Sequence, residues 1–153
     1  MHQYSLRTEV RIDWSEIDAF GHINNLAILK YVQAARVKYL EAIGLMQSQA
    51  ETKIGPILAS TSCQYRRPLF YPGHVTVHST VDAIKNTSFR MCHEVYNEKR
   101  EIIAEAQDVL VIFDFDRQSK LAIPDDLRER IVKLEKVNCC GSAVTRPERP
   151  EPG

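Results

Sequence analysis

Residues 14–43 read WSEIDAFGHINNLAILKYVQAARVKYLEAI. The stretch Trp14 to Asn25 is the densest polar cluster in an otherwise apolar chain. At about Asn24 the period changes. Leu29, Val32, Arg36, Leu40 and Ile43 recur at intervals of three and four, one face of an α-helix. Gly44 follows as a stop. The spacing predicts one long helix of about twenty residues over 24–43, with Asn24 or Asn25 as its N-cap. Arg36 sits on the apolar stripe, so the stripe is either interrupted by a paired arginine or reaches a polar cavity there.

Upstream, Tyr4 to Asp13 alternates Leu6, Thr8, Val10 and Ile12 against Arg7, Glu9, Arg11 and Asp13, the period of a half-buried strand. Downstream, Ile57 to Arg67, His74 to Ile84, Ser88 to Tyr96 and Ile102 to Phe115 read as strands from their spacing and β-branched content. The breaks between them are 68–73, 85–87 and 97–100, and such short connections imply antiparallel neighbours. An apolar-striped helix needs a sheet to bury it. The expected architecture is α+β, a five-stranded antiparallel sheet wrapped around one long central helix. Pro124-Asp125-Asp126 ahead of Leu127, Ile131 and Leu134 predicts a short C-terminal helix as a peripheral cap. Residues 1–136 are expected to form the domain. Residues 137–153, with Pro147, Pro150, Pro152 and the Cys139-Cys140 pair, are expected to be a disordered or loosely docked tail.

The chain has 153 residues, 20 Lys+Arg, 20 Asp+Glu and a formal net charge of +0. That balance argues against a nucleic-acid surface, which needs a concentrated excess of cations. No stretch approaches the roughly 20 apolar residues of a membrane span, and Met1 to Glu9 lacks the apolar run of a signal peptide. A cytoplasmic protein without a membrane or nucleic-acid partner is expected. Cys63, Cys92, Cys139 and Cys140 lack the spacing of a disulfide framework and read as reduced thiols. His74, His78 and Cys92-His93 form no tight ligand cluster, so no metal is expected.

A strand-to-helix loop is a place where sites are built. Gly21 allows a tight turn, and the first amides of the helix point toward the loop. Unpaired N–H groups there, aided by the helix dipole, polarise a carbonyl or stabilise an oxyanion. A carboxylate just upstream can attack or activate water, and Asp18 is that carboxylate. The plainer alternative is that Asp18 and the asparagines cap a turn. Histidine as a residue type titrates near neutrality, which suits His22 to proton transfer, against the simpler role of a hydrogen-bonding turn residue.

Residues 14–36 resemble the 4-hydroxybenzoyl-CoA thioesterase branch of the hotdog-fold acyl-CoA thioesterases, in which D-x-x-G-H-x-N-N precedes the central helix and Y-x-x-x-A-R lies within it. Tyr65-Arg66-Arg67-Pro68-Leu69 with Tyr71-Pro72-Gly73, and Ile123-Pro124-Asp125-Asp126-Leu127-Arg128, look like that family's later segments. The resemblance implies an acyl-CoA or acyl-carrier-protein thioesterase that uses no cofactor. Asp18 matches the catalytic nucleophile or general base, and Asn25 the helix-start position whose amide polarises the thioester carbonyl. The family assembles as a homodimer or dimer of dimers through open sheet edges and holds CoA near the dimer interface. Arg66, Arg67, Lys85, Ser88 and Arg90 are the candidate contacts, with solvated strand-end charges as the bland reading.

Two departures stand out. Ile28 occupies a position where many members have Tyr, and Gln33 one where many have Glu. Since glutamine cannot act as a base, acid–base work would fall to Asp18, with His22 near it. The departures motivate an alternative, a non-catalytic acyl-CoA binding or sensing module. A purely structural dimerisation domain is a third reading.

Overall fold

A computed structural model describes residues 6–138. In chain order it contains β1 (Leu6–Arg11), a single 3-10 turn (Trp14–Glu16), α1 (Asn25–Ala42), α2 (Leu45–Thr52), β2 (Ile54–Tyr65), β3 (His74–Ile84), β4 (Ser88–Tyr96), β5 (Ile102–Asp114), β6 (Ser119–Lys120) and α3 (Asp125–Asn138). The strands pair antiparallel in the order β1-β3-β4-β5-β2, and the two-residue β6 adds a short hairpin to β5. This is the α+β hotdog arrangement expected, a curled sheet around α1 with a C-terminal helix. Among the described residues no helix is long and apolar enough to cross a membrane. Neither Cys63 nor Cys92 is joined in a disulfide among the described residues.

The helix is held by the stripe that the sequence predicts, in a denser form. Ala27, Tyr31, Ala35 and Tyr39 are buried at every fourth position, beside Ile28, Val32 and Leu40. Gly44 ends the segment at φ +73, in the left-handed region that glycine enters without strain. Two features go beyond the expectation. Residues 45–52 form α2, and β2 starts at Ile54 rather than Ile57. Helix α3 runs on through Asn138, and the rest of the expected tail, residues 139–153 with Cys139 and Cys140, lies outside the described residues.

The core is two clusters rather than one. Near the start of α1, Ile12, Ile23, Ile28, Tyr31 and Val32 pack on Leu69, Val75, Val77 and Ile103. Near its end, Tyr39, Leu40 and Ile43 pack on Phe89, Met91, Leu110, Ile112 and, from α3, Leu127 and Ile131. Between them a polar row crosses the inner face of the sheet. Ser79 Oγ meets His93 Nδ1 at 2.8 Å, His93 Nε2 meets Asp108 Oδ2 at 2.9 Å, and Thr61 donates to Asp108 Oδ1 at 2.7 Å. Arg36 reaches down from α1 to Asp108 at 3.0 Å, so the stripe is indeed interrupted by a paired arginine. A second polar tie closes the far end. Glu135 of α3 accepts from Tyr39, Thr80 and the Val81 amide, covering β3 beyond its pairing with β1.

Candidate active site

The segment joining β1 to α1 is folded by its own polar groups. Asp13 caps the 3-10 turn by accepting from Ser15 N–H, while the Asp13 amide donates to Glu16 Oε1 at 2.8 Å. This capping box follows from the spacing of Asp13 and Glu16. Beyond it the chain reverses in a tight loop. The Asp18 amide donates to His22 O at 2.7 Å, and Ile17 bridges Ile23. Asp18 Oδ1 accepts from the amides of Phe20 (2.8 Å) and His22 (3.1 Å). Gly21 makes the turn at φ +79, where a side chain would be strained.

Asp18 therefore does cap a turn, as the plainer reading holds. Only one carboxylate oxygen is committed to it. Its Oδ2 has no hydrogen-bond partner among the described residues, and the side chain is half-buried rather than enclosed. The loop's own amides fix the carboxylate's direction and leave one oxygen for chemistry.

Asn24 is the N-cap of α1. Its Oδ1 accepts from the Ala27 amide at 2.8 Å, and its Nδ2 and backbone amide both donate to the Glu16 carbonyl at 2.9 Å. Asn25 is the first helical residue, so its amide has no intrahelical acceptor. Asp18, His22, Asn25, Ile28, Tyr65, Arg66, Arg67 and Leu69 line one open groove of about 390 Å³. A carboxylate and a helix start thus share a single concavity with an apolar floor. His22 sits beside Asp18, its ring edge-on to Phe70 with centroids 5.2 Å apart.

The predicted phosphate contacts divide. Arg66 and Arg67 line the groove with more than half of each side chain exposed, and they pair with Glu105 (3.0 Å) and Glu101 (3.3 Å). Lys85, Ser88 and Arg90 lie elsewhere. Lys85 N–H donates to Ser88 O across the β3–β4 turn, and Arg90 forms a two-pronged ion pair with Asp82. In the register, the groove adjoins the end where Arg11 meets His74 and Tyr65 meets Ala104, whereas Ile84 meets Phe89 at the other end. β3 is 11 residues long, about 35 Å. Within one chain these three residues do not reach the Asp18 groove.

Of the two departures, Ile28 is buried at the floor of the groove, and Gln33 is exposed and lines no part of it. Sequence reasoning missed three contributors. The Tyr65 hydroxyl donates to the Asn25 carbonyl at 3.4 Å. Glu16 is buried, and Tyr31 donates to it at 2.7 Å. Burial pushes the Glu16 carboxyl up, but hydrogen bonds from Asp13 N–H, Tyr31 and Lys30 outweigh it and leave the group below its ordinary value. Among the described residues no group of His, Cys, Asp and Glu is placed to hold a metal ion.

A family model described as the thioesterase-like superfamily matches residues 12–131. The long-chain acyl-CoA thioesterase FadM of Escherichia coli is 24% identical over 132 residues, 86% of this chain and 100% of that protein. Among solved structures, a thioesterase from Thermus thermophilus, complexed with coenzyme A and Zn, superposes with a TM-score of 0.78. It is 27% identical, with 89% of this chain and 98% of that chain covered. The DHNA-CoA thioesterase from Staphylococcus aureus shares the fold at a TM-score of 0.77 and 22% identity, over 90% of this chain and 95% of its own.

Proposed function

Because the chain belongs to the thioesterase-like superfamily and is a thioester hydrolase, we propose that it cleaves acyl-CoA or acyl-carrier-protein thioesters at the groove between Asp18 and the start of α1. One observation carries this reading. Asp18, with one carboxylate oxygen uncommitted, and Asn25, the first residue of α1, line the same concavity.

Asp18 acts as general base or nucleophile. As a base it takes a proton from water while the hydroxide adds to the thioester carbonyl. The carbonyl oxygen gains charge and is met by the Asn25 amide at the positive end of α1. Collapse of this intermediate breaks the C–S bond, and the thiolate leaves and is protonated. As a nucleophile Asp18 first displaces the thiolate to form an anhydride, which water then hydrolyses. His22, which lines the same groove, returns the proton to the thiolate. Arg66 and Arg67 at the rim offer cations to the phosphates of CoA or of a carrier-protein arm.

The homodimer belongs to the same proposal. β2 is the sheet edge beyond β5, and Ile57, Leu58 and Tyr65 on it are large apolar residues left exposed. An open edge of this kind is a template for another strand. Antiparallel pairing of β2 with a second β2 sets the Tyr65 end of one chain against the Ile54 end of its partner, the end that carries Lys85, Ser88 and Arg90. Two such dimers make the dimer of dimers.

Thiol release from short, long and aromatic acyl-CoAs, for the wild type beside Asp18→Asn, tests the reading. We expect a loss of about 10²–10⁴-fold in turnover. Full turnover in the variant overturns the role of Asp18. The binding-only alternative, motivated by Ile28 and Gln33, instead predicts acyl-CoA binding with no thiol release from any member of the panel.

A further inference from the structure

Glu16 makes a set of contacts that its own turn does not require. It is only 6% exposed. Its carboxylate accepts from the Asp13 amide (2.8 Å) and the Tyr31 hydroxyl (2.7 Å) through Oε1, and from Lys30 Nζ (3.3 Å) through Oε2. Its carbonyl accepts from both the backbone and the side-chain nitrogen of Asn24 at 2.9 Å. One residue thereby joins the 3-10 turn, the N-cap of α1 and the second turn of the same helix.

These ties bracket the groove without entering it. Glu16 precedes Asp18 by two residues, and Asn24 directly precedes Asn25. An apolar side chain at position 16 would extend the cluster around Ile12, Ile23 and Tyr31 without the cost of burying a charge. A carboxylate instead supplies direction, since its hydrogen bonds hold only in one arrangement of turn and helix. Lys30 and Tyr31 keep it charged and fixed.

We propose that Glu16 is a positioning residue, a clamp that sets the distance between the Asp18 carboxylate and the Asn25 amide. The inference rests on the assignment of Asp18 and Asn25 made above. Reacting groups displaced by about 1 Å lose on the order of 10²-fold in rate, so the clamp acts on turnover through Asp18 and Asn25 without touching the substrate.

The test uses the full chain in four forms beside the wild type: Glu16→Met, Tyr31→Phe, Asp18→Asn, and Asp18→Asn with Glu16→Met. Thiol release is followed on the best acyl-CoA of the panel, with circular dichroism and Tm recorded for each. Glu16→Met, of similar length but with no oxygen to accept from Asp13 N–H or Tyr31, is expected to lower kcat by about 10–100-fold with KM within about threefold, in a protein that is folded at the assay temperature. Tyr31→Phe, which removes one hydrogen bond, shifts kcat the same way by less. The double variant is expected to be no slower than Asp18→Asn, because a clamp has nothing to position once the carboxylate is gone.

Unchanged kcat in folded Glu16→Met, beside an inactive Asp18→Asn, overturns the clamp and leaves Asp18 standing. Multiplicative losses in the double variant also overturn it, since they mean that Glu16 acts independently of Asp18. Full turnover in Asp18→Asn overturns the assignment of Asp18 and the clamp with it. If Glu16→Met does not fold, Tyr31→Phe decides, and unchanged kcat there overturns the proposal.

Discussion

Asp108 is fully buried, and every charge near it has a reason. Arg36, His93 and Thr61 all point hydrogen bonds at its two oxygens. Burial pushes its carboxyl up, and the bonds from His93 and Thr61, with Arg36, more than offset this and hold it below the usual carboxylate range. A carboxyl depressed in the folded state adds stability that is present above its unfolded value, about 3.9, and is lost as pH falls through its folded value. Asp108→Asn removes that contribution and strands Arg36. We expect a loss of about 3–5 kcal/mol near neutrality, with a smaller difference from wild type once the pH is well below about 3.9. Urea unfolding of both proteins under the two conditions checks this. Arg36 itself was legible, since an arginine on an apolar stripe must be paired. Its partner was not, because 72 residues separate them and only the closed sheet brings them together. That Asp18 and Asn25 share one groove was legible for the opposite reason: their relation is local, fixed by a turn and a helix start a few residues apart.

At the scale of elements, periodic segments were readable and short ones were not. α1, β3 and β4 lie where the spacing puts them, because each has enough turns or alternations to declare a face. α2 was missed because LMQSQAET has a single buried anchor, Leu45, and its remaining residues favour no face. β2 was placed too late because Gly55 and Pro56 argue against a strand, yet an edge strand tolerates proline. The turn between α1 and α2 is a sensitive joint. Gly44 sits at φ +73, and a Cβ there would come within 2.7 Å of Arg130 Nη1, the tip of a flexible side chain that can move aside. The backbone strain remains, so Gly44→Ala is expected to cost about 1 kcal/mol or more. Thermal unfolding should show this as a lower Tm, with thiol release at low temperature unchanged.

The whole molecule raises a question that one chain does not answer, namely where the cations at its far end act. The pairing of β2 edges proposed above assigns Lys85 to the partner's groove, which a mixing experiment reads directly. Asp18→Asn and Lys85→Glu chains are each expected to be impaired alone. Mixed and allowed to exchange, they form some dimers in which one groove holds an intact Asp18 and an intact Lys85, so part of the activity returns. No recovery after exchange places Lys85 outside the reaction. The tetramer arrangement and the acyl group were not legible in the sequence, because both depend on surfaces that two chains create together.

The polar row under Arg36 has a consequence for inheritance. It divides one small core into two compartments that share a helix and little packing. Sequence change in the compartment of Phe89, Met91 and Leu127 can accumulate or be repaired there, while the compartment of Ile28 and Tyr31 stays under the separate demands of the groove. A domain built this way can drift in its foundations without renegotiating its chemistry.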